Sequence, residues 1–349
     1  MKALRFYDIQ DLRWEDAPDP VLENEDDVIV KVKCAGICSS DIARYRNLGP
    51  YVPGNVWGHE FSGEVVSTGS GVTRFKAGDR VVGCPNIVCH KCKYCLSGHP
   101  ARCENLHTIG AKVPGAFGEY IKLPERNFIK MADSMTFEEG ALTEPATVAL
   151  HGLYKTKIGI GYEVAIVGCG NLGLIAMQWC KAFGAKTIYA LDINDKKLEI
   201  AKSCGADVLI NTSNQDFQEA IHQYCDGVDL ALESAGNAFT AARVLGLPHK
   251  GGEVVYLGIP YADVPVPRSY FECIMRKELH VYGSWCTISA PYPGKEWENA
   301  VEYIGSHRID VAPLISHQLN MSQGPEAFKQ IIANPTAFGK VMLYPEENR

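Results

Sequence analysis

Four cysteines lie close together in the chain, and their spacing predicts a metal site. The pattern is C-x2-C-x2-C-x7-C, formed by Cys89, Cys92, Cys95 and Cys103. Four thiolates complete the tetrahedral coordination of zinc and leave no open position, so a structural zinc ion is expected. An iron–sulfur cluster is a weaker alternative, because the spacing differs from the usual runs and no proline follows the last cysteine. A zinc-ribbon nucleic-acid reader is a further alternative.

A second candidate metal site lies upstream of this cluster. Cys38 and His59 offer one soft ligand and one imidazole ligand, and Glu60 adjoins the histidine. A catalytic zinc needs a third protein ligand and keeps a fourth position for water or substrate. Because a lone cysteine or histidine is more often part of a core or surface, this prediction depends on the other motifs of the chain.

A glycine-rich segment indicates a dinucleotide-binding turn. Gly168, Gly170 and Gly173 have G-x-G-x-x-G spacing, and Asn171 and Leu172 stand before the last glycine. The apolar run 164–167 precedes the motif and a helical pattern over 172–183 follows it, which is the context that the motif requires. The first glycine permits the tight turn, the second allows close approach of a pyrophosphate, and the third lets the helix pack on its strand.

An acidic residue predicts which dinucleotide binds. Asp192 ends the second strand of this region, 19 residues after Gly173. A carboxylate at this place accepts hydrogen bonds from the ribose hydroxyls and repels a 2′-phosphate. The sequence therefore favours NAD over NADP.

The two halves of the chain differ in their predicted secondary structure. Residues 1–145 contain short valine-rich runs between turns, as at 28–32, 63–66 and 78–82, and predict a strand-rich domain. From about residue 160, strands alternate with helices. Six strands are expected at 164–167, 187–191, 208–210, 228–232, 253–257 and 279–282. This alternation predicts an α/β fold with a doubly wound parallel sheet, and the tail is expected to return to the first domain.

Composition excludes several classes of function. The chain has 349 residues and a net charge of −7, which argues against a nucleic-acid partner. It contains no apolar run of about 20 residues and no apolar signal core at its start, so neither a membrane span nor secretion is expected. Thirteen cysteines, four of them clustered, fit reduced thiols and metal ligation in the cytoplasm.

These motifs together resemble the zinc-dependent medium-chain dehydrogenase/reductase superfamily. The segments 36–38, 58–63 and 115–120, the four-cysteine lobe and the dinucleotide turn match that family in order. The resemblance covers the chain nearly end to end. It implies a GroES-like, β-rich catalytic domain over 1–147 and 286–349, and a Rossmann NAD-binding domain over 148–285. It also implies two zinc ions per chain.

The resemblance also implies roles for individual residues. Glu144, in place of the cysteine that many alcohol dehydrogenases use, is characteristic of the polyol dehydrogenase branch and would hold the catalytic zinc with Cys38 and His59. Glu60 would bind the ion directly or through its water, and Asp41 would orient the histidine. Ser40 matches the hydroxyl that begins proton relay. The next relay position is Ala43 rather than histidine, so that later step is open.

The substrate expected from the resemblance is a polyol phosphate. Segment 283–298 resembles the galactitol-1-phosphate 5-dehydrogenases more than the sorbitol or threonine dehydrogenases, which implies oxidation of a secondary alcohol to a ketone. Arg44, Arg46 and Lys295 are candidate phosphate contacts. A free-polyol dehydrogenase acting on sorbitol, xylitol or butanediol remains an alternative, as does a nonenzymatic NAD-binding redox sensor. A homodimer or homotetramer is expected.

Overall fold

The computed structural model describes residues 1–345, which divide into two compact units. Within the described residues, the first unit comprises 1–144, 287–307 and 311–345, and the second comprises 145–286 with 308–310. The sequence predicted boundaries after residues 147 and 285. The short segment 308–310, expected in the first domain, belongs to the second unit.

The first unit begins with short strands and three short helices. Its strands are β1 (Lys2–Asp8), β2 (Asp11–Asp16), β3 (Asp27–Gly36), β4 (Asn55–Val56), β5 (Glu60–Thr68), β6 (Arg80–Gly83), β7 (Asn86–Ile87), β8 (His107–Thr108), β9 (Tyr120–Pro124) and β10 (Phe128–Lys130). Its helices are α1 (Ser39–Ala43), α2 (Lys93–Leu96) and α3 (Phe137–Ala141), and α4 (Thr143–Leu153) follows and leads into the second unit.

The second unit alternates strand and helix. Its strands are β11 (Glu163–Val167), β12 (Thr187–Asp192), β13 (Val208–Asn211), β14 (Val228–Glu233), β15 (Pro248–Tyr256) and β16 (His280–Gly283). Its helices are α5 (Asn171–Ala182), α6 (Asp195–Ser203), α7 (Phe217–His222), α8 (Ala238–Arg243) and α9 (Arg268–Arg276). The tail then adds α10 (Lys295–Gly305), β17 (Ile315–Asn320), α11 (Gly324–Ala333) and β18 (Lys340–Tyr344) to the first unit.

The second unit contains the predicted doubly wound sheet. The strand order is β13-β12-β11-β14-β15-β16, and each neighbouring pair is parallel. All six strands predicted from the sequence are confirmed within a few residues, and the helix expected over 172–183 is α5. Strand β11 has β12 on one side and β14 on the other. The strand order therefore reverses beside β11, where such sheets bind ligands at their carboxyl ends.

A seven-stranded sheet brings distant parts of the first unit together. Its order is β10-β6-β5-β3-β18-β17, and β9 also pairs with β3. In the antiparallel pairs, Gly36 at the end of β3 lies opposite Glu60 at the start of β5 and opposite Met342 of β18. The chain segments just beyond β3, just before β5 and at the start of β18 therefore meet, as the predicted return of the tail requires.

Each unit has its own apolar core. In the first unit Phe61, Phe117 and Phe128 are among the buried aromatic side chains, and in the second Phe217 and Tyr189 belong to the core cluster. None of the helices within residues 1–345 has the length and apolar character needed to span a membrane.

Candidate active site

The end of β3 and the start of β5 position the upstream metal-ligating residues. Cys38 follows β3 and precedes α1, and His59 stands directly before β5. Gly58 has a φ of +89°, and a Cβ there would clash with the Phe117 ring. Glycine thus permits the sharp entry into β5 that places His59 beside Cys38.

Three potential metal ligands converge at this place. Ligand atoms of Cys38, His59 and Glu60 all lie within 4.8 Å of one another. One soft thiolate, one imidazole and one carboxylate form a donor set that suits zinc. This group, drawn from residues 1–345, does not include Glu144. The structure thus brings together three of the four residues predicted for the site.

Glu144 nevertheless lies in the electrostatic surroundings of that group. It is the second residue of α4, and its side chain is buried. The pKa of its carboxyl is raised to about 7, chiefly by burial; the charge of His59 lowers it, Glu60 raises it and Lys340 lowers it. A cation bound beside it would favour the ionised form.

A buried ion pair fixes Glu60. Lys340, the first residue of β18, donates to Glu60 Oε2 and to the carbonyl oxygen of Ile37 at 3.2 Å. Both charged side chains are almost completely buried, with 3% and 1% of their surface exposed. Burial lowers the pKa of Lys340, but the charges of Glu60, Cys38 and Glu144 and the hydrogen bond to Glu60 together make the net shift upward. A side chain at Gly36 would force the Glu60 carboxylate to shift away from its present position.

Asp41 orients both Cys38 and His59. Its Oδ2 accepts the backbone N–H of Cys38 at 3.0 Å, and its Oδ1 lies 3.5 Å from His59 Nδ1. Because Asp41 contacts Nδ1, Nε2 would be the ring nitrogen available to bind a metal. Burial lowers the pKa of His59, but the charges of Asp41 and Cys38 raise it well above its usual value. The predicted orienting carboxylate is therefore in contact with the histidine.

The four clustered cysteines converge in a separate lobe. Ligand atoms of Cys89, Cys92, Cys95 and Cys103 all lie within 4.8 Å of one another. The Cys89–Cys103 and Cys92–Cys95 sulfur pairs are 3.5 and 3.6 Å apart. A Zn–S distance of about 2.3 Å gives a tetrahedral edge of roughly 3.8 Å, so these spacings suit one shared ion. Backbone N–H bonds, chiefly from Lys91, lower the pKa of Cys89 to about 6, which favours the thiolate that a metal needs.

The dinucleotide turn has the geometry that a pyrophosphate requires. Gly168 has a φ of +95°, and a Cβ at Gly173 would clash with the Gly168 carbonyl. No atom lies within 4 Å of a Cβ built on Gly170, so the space in front of this residue is open. Asn171 and Leu172 begin α5, whose N-terminal amides and dipole favour a negatively charged group. This turn therefore fits a nicotinamide dinucleotide.

Asp192 is held at the end of β12. Its Oδ2 accepts the N–H of Cys169 at 2.8 Å, and its Oδ1 accepts the N–H of Asn194 at 2.9 Å. The first of these bonds connects the carboxylate directly to the glycine-rich turn. Asp192 thus lies where the sequence placed a ribose-binding carboxylate.

The predicted relay residue and the predicted phosphate contacts are not members of the metal-ligating group. Ser40 lies half-buried in α1, two residues after Cys38. The Arg44 guanidinium lies 3.3 Å from the Tyr51 ring centre and donates to the Gly49 carbonyl at 3.0 Å. Arg46 is exposed and donates to the Ile332 carbonyl at 3.2 Å, whereas Lys295 begins α10. Each arginine therefore has a backbone partner.

Lys340 was missed by the sequence reasoning. The sequence did contain a hint of its importance, because Lys340 is a charged residue at the start of the apolar run 340–343. That run was expected to return to the first domain. Only the register of β18 against β3 shows that this lysine reaches Glu60.

Two family models match the chain in the order of its two units. The alcohol dehydrogenase GroES-like domain matches residues 24–133, and the zinc-binding dehydrogenase model matches residues 171–305. The fold and the site define an oxidoreductase that uses zinc and a nicotinamide dinucleotide. The chain belongs to the family of zinc-dependent medium-chain dehydrogenases.

Similar proteins include polyol dehydrogenases. A sorbitol dehydrogenase from Bacillus subtilis (strain 168) is 34% identical, with 99% of this chain and 97% of the relative covered. The crystal structure of galactitol-1-phosphate dehydrogenase from Escherichia coli shares 33% identity and has a TM-score of 0.93, covering 99% and 100% of the two chains. A zinc-binding dehydrogenase from Sinorhizobium meliloti 1021, bound to NADP, shares 31% identity at a TM-score of 0.89, with 99% of each chain covered.

Proposed function

We propose that this protein oxidises a secondary hydroxyl of a polyol phosphate to a ketone and transfers the hydride to NAD, with galactitol 1-phosphate as the best substrate. The observation that carries the proposal is the convergence of Cys38, His59 and Glu60 in a zinc-dependent dehydrogenase similar to galactitol-1-phosphate dehydrogenase. The buried Glu144 supplies a further carboxylate near this group.

The chain's own residues divide the work at the catalytic zinc. Cys38 and His59 would hold the ion, and Asp41 orients both through its contacts with the Cys38 N–H and the His59 Nδ1. Zinc supplies Lewis acidity, which lowers the pKa of a bound hydroxyl. Lys340 holds Glu60, and the buried Glu144 would be available to bind the ion as a further ligand. The substrate hydroxyl proton would leave through Glu60, or through the Ser40 hydroxyl, whose Oγ accepts it while its own proton passes to bulk solvent.

The glycine-rich turn and Asp192 bind the cofactor. Gly170 leaves space for the pyrophosphate, and the amides at the start of α5 face it. Asp192 accepts hydrogen bonds from the adenosine ribose hydroxyls, and a 2′-phosphate would meet its charge. NAD then supplies the hydride-accepting ring, which the protein only orients. One similar structure is bound to NADP, so the preference of this protein for NAD over NADP should be measured directly.

Arg44 is the best candidate for the phosphate contact. It follows α1, the helix that starts next to Cys38, and its bond to Gly49 occupies one of five guanidinium donors. Stacking on Tyr51 restricts its orientation. Arg46 and Lys295 are more exposed and rank behind it. A charge-assisted contact contributes about 1.5–3 kcal/mol, or roughly ten- to a hundredfold in affinity.

The test is a comparison of matched phosphorylated and free polyols. NADH formation is followed by absorbance, and kcat/KM is determined for galactitol 1-phosphate and galactitol. We expect the phosphate ester to exceed the free polyol by at least about tenfold. Arg44→Ala should remove most of this difference and spare the activity on galactitol, with Arg46→Ala and Lys295→Ala as matched charge controls. Equal efficiency on both substrates would overturn the proposal.

A free-polyol dehydrogenase is the second candidate. The similarity to the Bacillus subtilis sorbitol dehydrogenase, as high as that to the galactitol-1-phosphate enzyme and over 99% of this chain, favours it. Under this alternative the same zinc site and turn act on an uncharged substrate. Equal kcat/KM for sorbitol and its phosphate, unaffected by Arg44→Ala, would support it.

We further propose that the protein assembles as a homodimer or homotetramer. Strand β16 forms one edge of the parallel sheet, and His280, Val281 and Gly283 along it are exposed in the single chain. An exposed edge strand presents unpaired backbone groups to another chain. Light scattering after size-exclusion chromatography should give at least twice the chain mass. A monomer at micromolar concentration would contradict this.

A further inference from the structure

A buried carboxylate lies at the carboxyl end of β14, outside the catalytic group. Glu233 is fully buried. Burial raises the pKa of its carboxyl, while hydrogen bonds from Thr240, Gly236 and Ala235 lower it. Burying such a group is unfavourable unless several donors satisfy it, as they do here. Glu233 therefore holds these donor groups in place.

The carboxylate organises the loop that follows β14. Its Oε1 accepts the Thr240 hydroxyl at 2.6 Å and the N–H of Gly236 at 3.0 Å. The Glu233 carbonyl accepts the N–H groups of Leu257 and Gly258, both at 2.9 Å. A Cβ at Gly258 would lie 2.5 Å from Glu233 Oε2. Glu233 therefore contacts the loops after both β14 and β15.

The loop after β14 also packs directly on the dinucleotide turn. The Ser234 hydroxyl contacts the carbonyl oxygens of Val167 and Gly168 at 3.0 and 2.9 Å. A Cβ at Gly168 would lie 2.7 Å from the backbone nitrogen of Ala235, and one at Gly173 would lie 2.8 Å from Ser234 Oγ. A shift of this loop would thus be transmitted to the turn that faces the pyrophosphate.

The position of these loops in the sheet connects them with the cofactor. Strands β11, β14 and β15 are neighbours, and β11 is the strand beside which the order reverses. Ligands of doubly wound sheets bind outside the carboxyl ends of the strands at this place. The loops joined by Glu233 therefore lie where sheets of this class bind their cofactor.

We propose that Glu233 is a positioning residue for the nicotinamide dinucleotide, acting through loop 234–236. Its carboxylate holds this loop against the glycine-rich turn, so that the turn has its binding geometry before the cofactor arrives. Preorganisation of this kind increases affinity because less ordering is required on binding. Glu233 itself needs no contact with the cofactor.

Glu233→Gln tests the role with little change in volume. The carboxylate accepts on both oxygens, whereas the amide offers one acceptor and turns an NH2 group toward backbone N–H donors. NADH binding is measured without substrate by titration of the cofactor's fluorescence, so the readout does not depend on turnover. We expect the dissociation constant to rise about tenfold, equivalent to about 1.4 kcal/mol.

Glu253→Gln is the matched control. Glu253 is also a buried carboxylate of the same sheet, 3% exposed, and accepts the Lys157 N–H at 3.0 Å and the Tyr282 hydroxyl at 3.2 Å. The Glu253→Gln change should lower the melting temperature about as much as Glu233→Gln does, while NADH affinity stays within about twofold of the unaltered protein. Equal weakening by both variants, or unchanged NADH binding by Glu233→Gln, would overturn the proposal.

Thr240→Val provides a second variant, in case Glu233→Gln does not fold. It removes the hydroxyl that donates to Glu233 and keeps the branched shape of the side chain. We expect weaker NADH binding in the same direction as for Glu233→Gln, by about threefold, because one of several donors is lost. Full NADH affinity in a folded Thr240→Val protein would count against the role of the carboxylate.

Discussion

Replacing Lys340 by methionine should destabilise the strands that carry the catalytic group. Methionine has a similar length but no charge, so Glu60 would remain in a buried position without its partner. Removing one member of a buried ion pair costs about 3–5 kcal/mol, because the other charge is left uncompensated. The lost bond to the Ile37 carbonyl adds roughly 1 kcal/mol. We therefore expect the stability of these strands to fall by an amount near the upper end of that range.

The double variant Lys340→Met/Glu60→Gln separates the charge effect from the loss of packing. With the carboxylate neutralised, no buried charge is left unpaired, and the double variant should be more stable than Lys340→Met alone. The coupling between contacting residues is typically about 0.5–3 kcal/mol. Zinc should reduce the loss of stability in Lys340→Met. Glu60 lies beside Cys38 and His59, so a bound cation would give its carboxylate a second counter-charge.

Hydrogen exchange is the suitable assay, because the chain has two compact units and global unfolding need not be two-state. The free energy of opening is measured for amides of β3, β5 and β18 in metal-depleted and zinc-loaded protein. Strands β11 and β12 of the other unit serve as the internal control. A loss below about 1 kcal/mol in the metal-depleted protein would refute the reasoning, as would a double variant no more stable than the single one.

Three further predictions concern the metals and the cofactor. Mild chelation should remove the metal at Cys38 and His59 together with activity before that of the four-cysteine lobe, with circular dichroism unchanged; loss of structure in step with activity would contradict this. Asp192→Ser should weaken NAD binding by about tenfold and relax the preference over NADP, whereas equal use of both cofactors by the unaltered protein would contradict the role. Glu144→Gln should reduce kcat by at least about a hundredfold with an unchanged melting temperature, because an amide is a poorer zinc ligand; nearly intact activity would leave Glu60 as the carboxylate that binds zinc.

Much of the fold follows from local sequence patterns. The six parallel strands and the helix after the glycine-rich turn were predictable because each is a short apolar run or a periodic segment bounded by turn residues. The four cysteines were equally clear, since all of them fall within a stretch of 15 residues, 89–103. The doubly wound sheet then follows from the alternation alone.

The interactions around the catalytic group could not be predicted in the same way. The contact between Glu60 and Lys340 joins residues 280 apart and depends on the register of β18 against β3. Burial of Glu233 beneath the loops after β14 and β15 depends equally on tertiary packing. In both cases a charged residue at the end of an apolar strand was the available signal, and it identifies neither the partner nor the loop that the residue holds.

Isotope transfer tests the central proposal most directly. The protein is incubated with NAD and galactitol 1-phosphate carrying deuterium at carbon 5, and the NADH formed is analysed by mass spectrometry. Direct hydride transfer from the secondary carbinol predicts NADH that is heavier by one mass unit and a keto sugar phosphate that has lost the label. Absence of NADH, or NADH of natural mass, would contradict the proposed reaction.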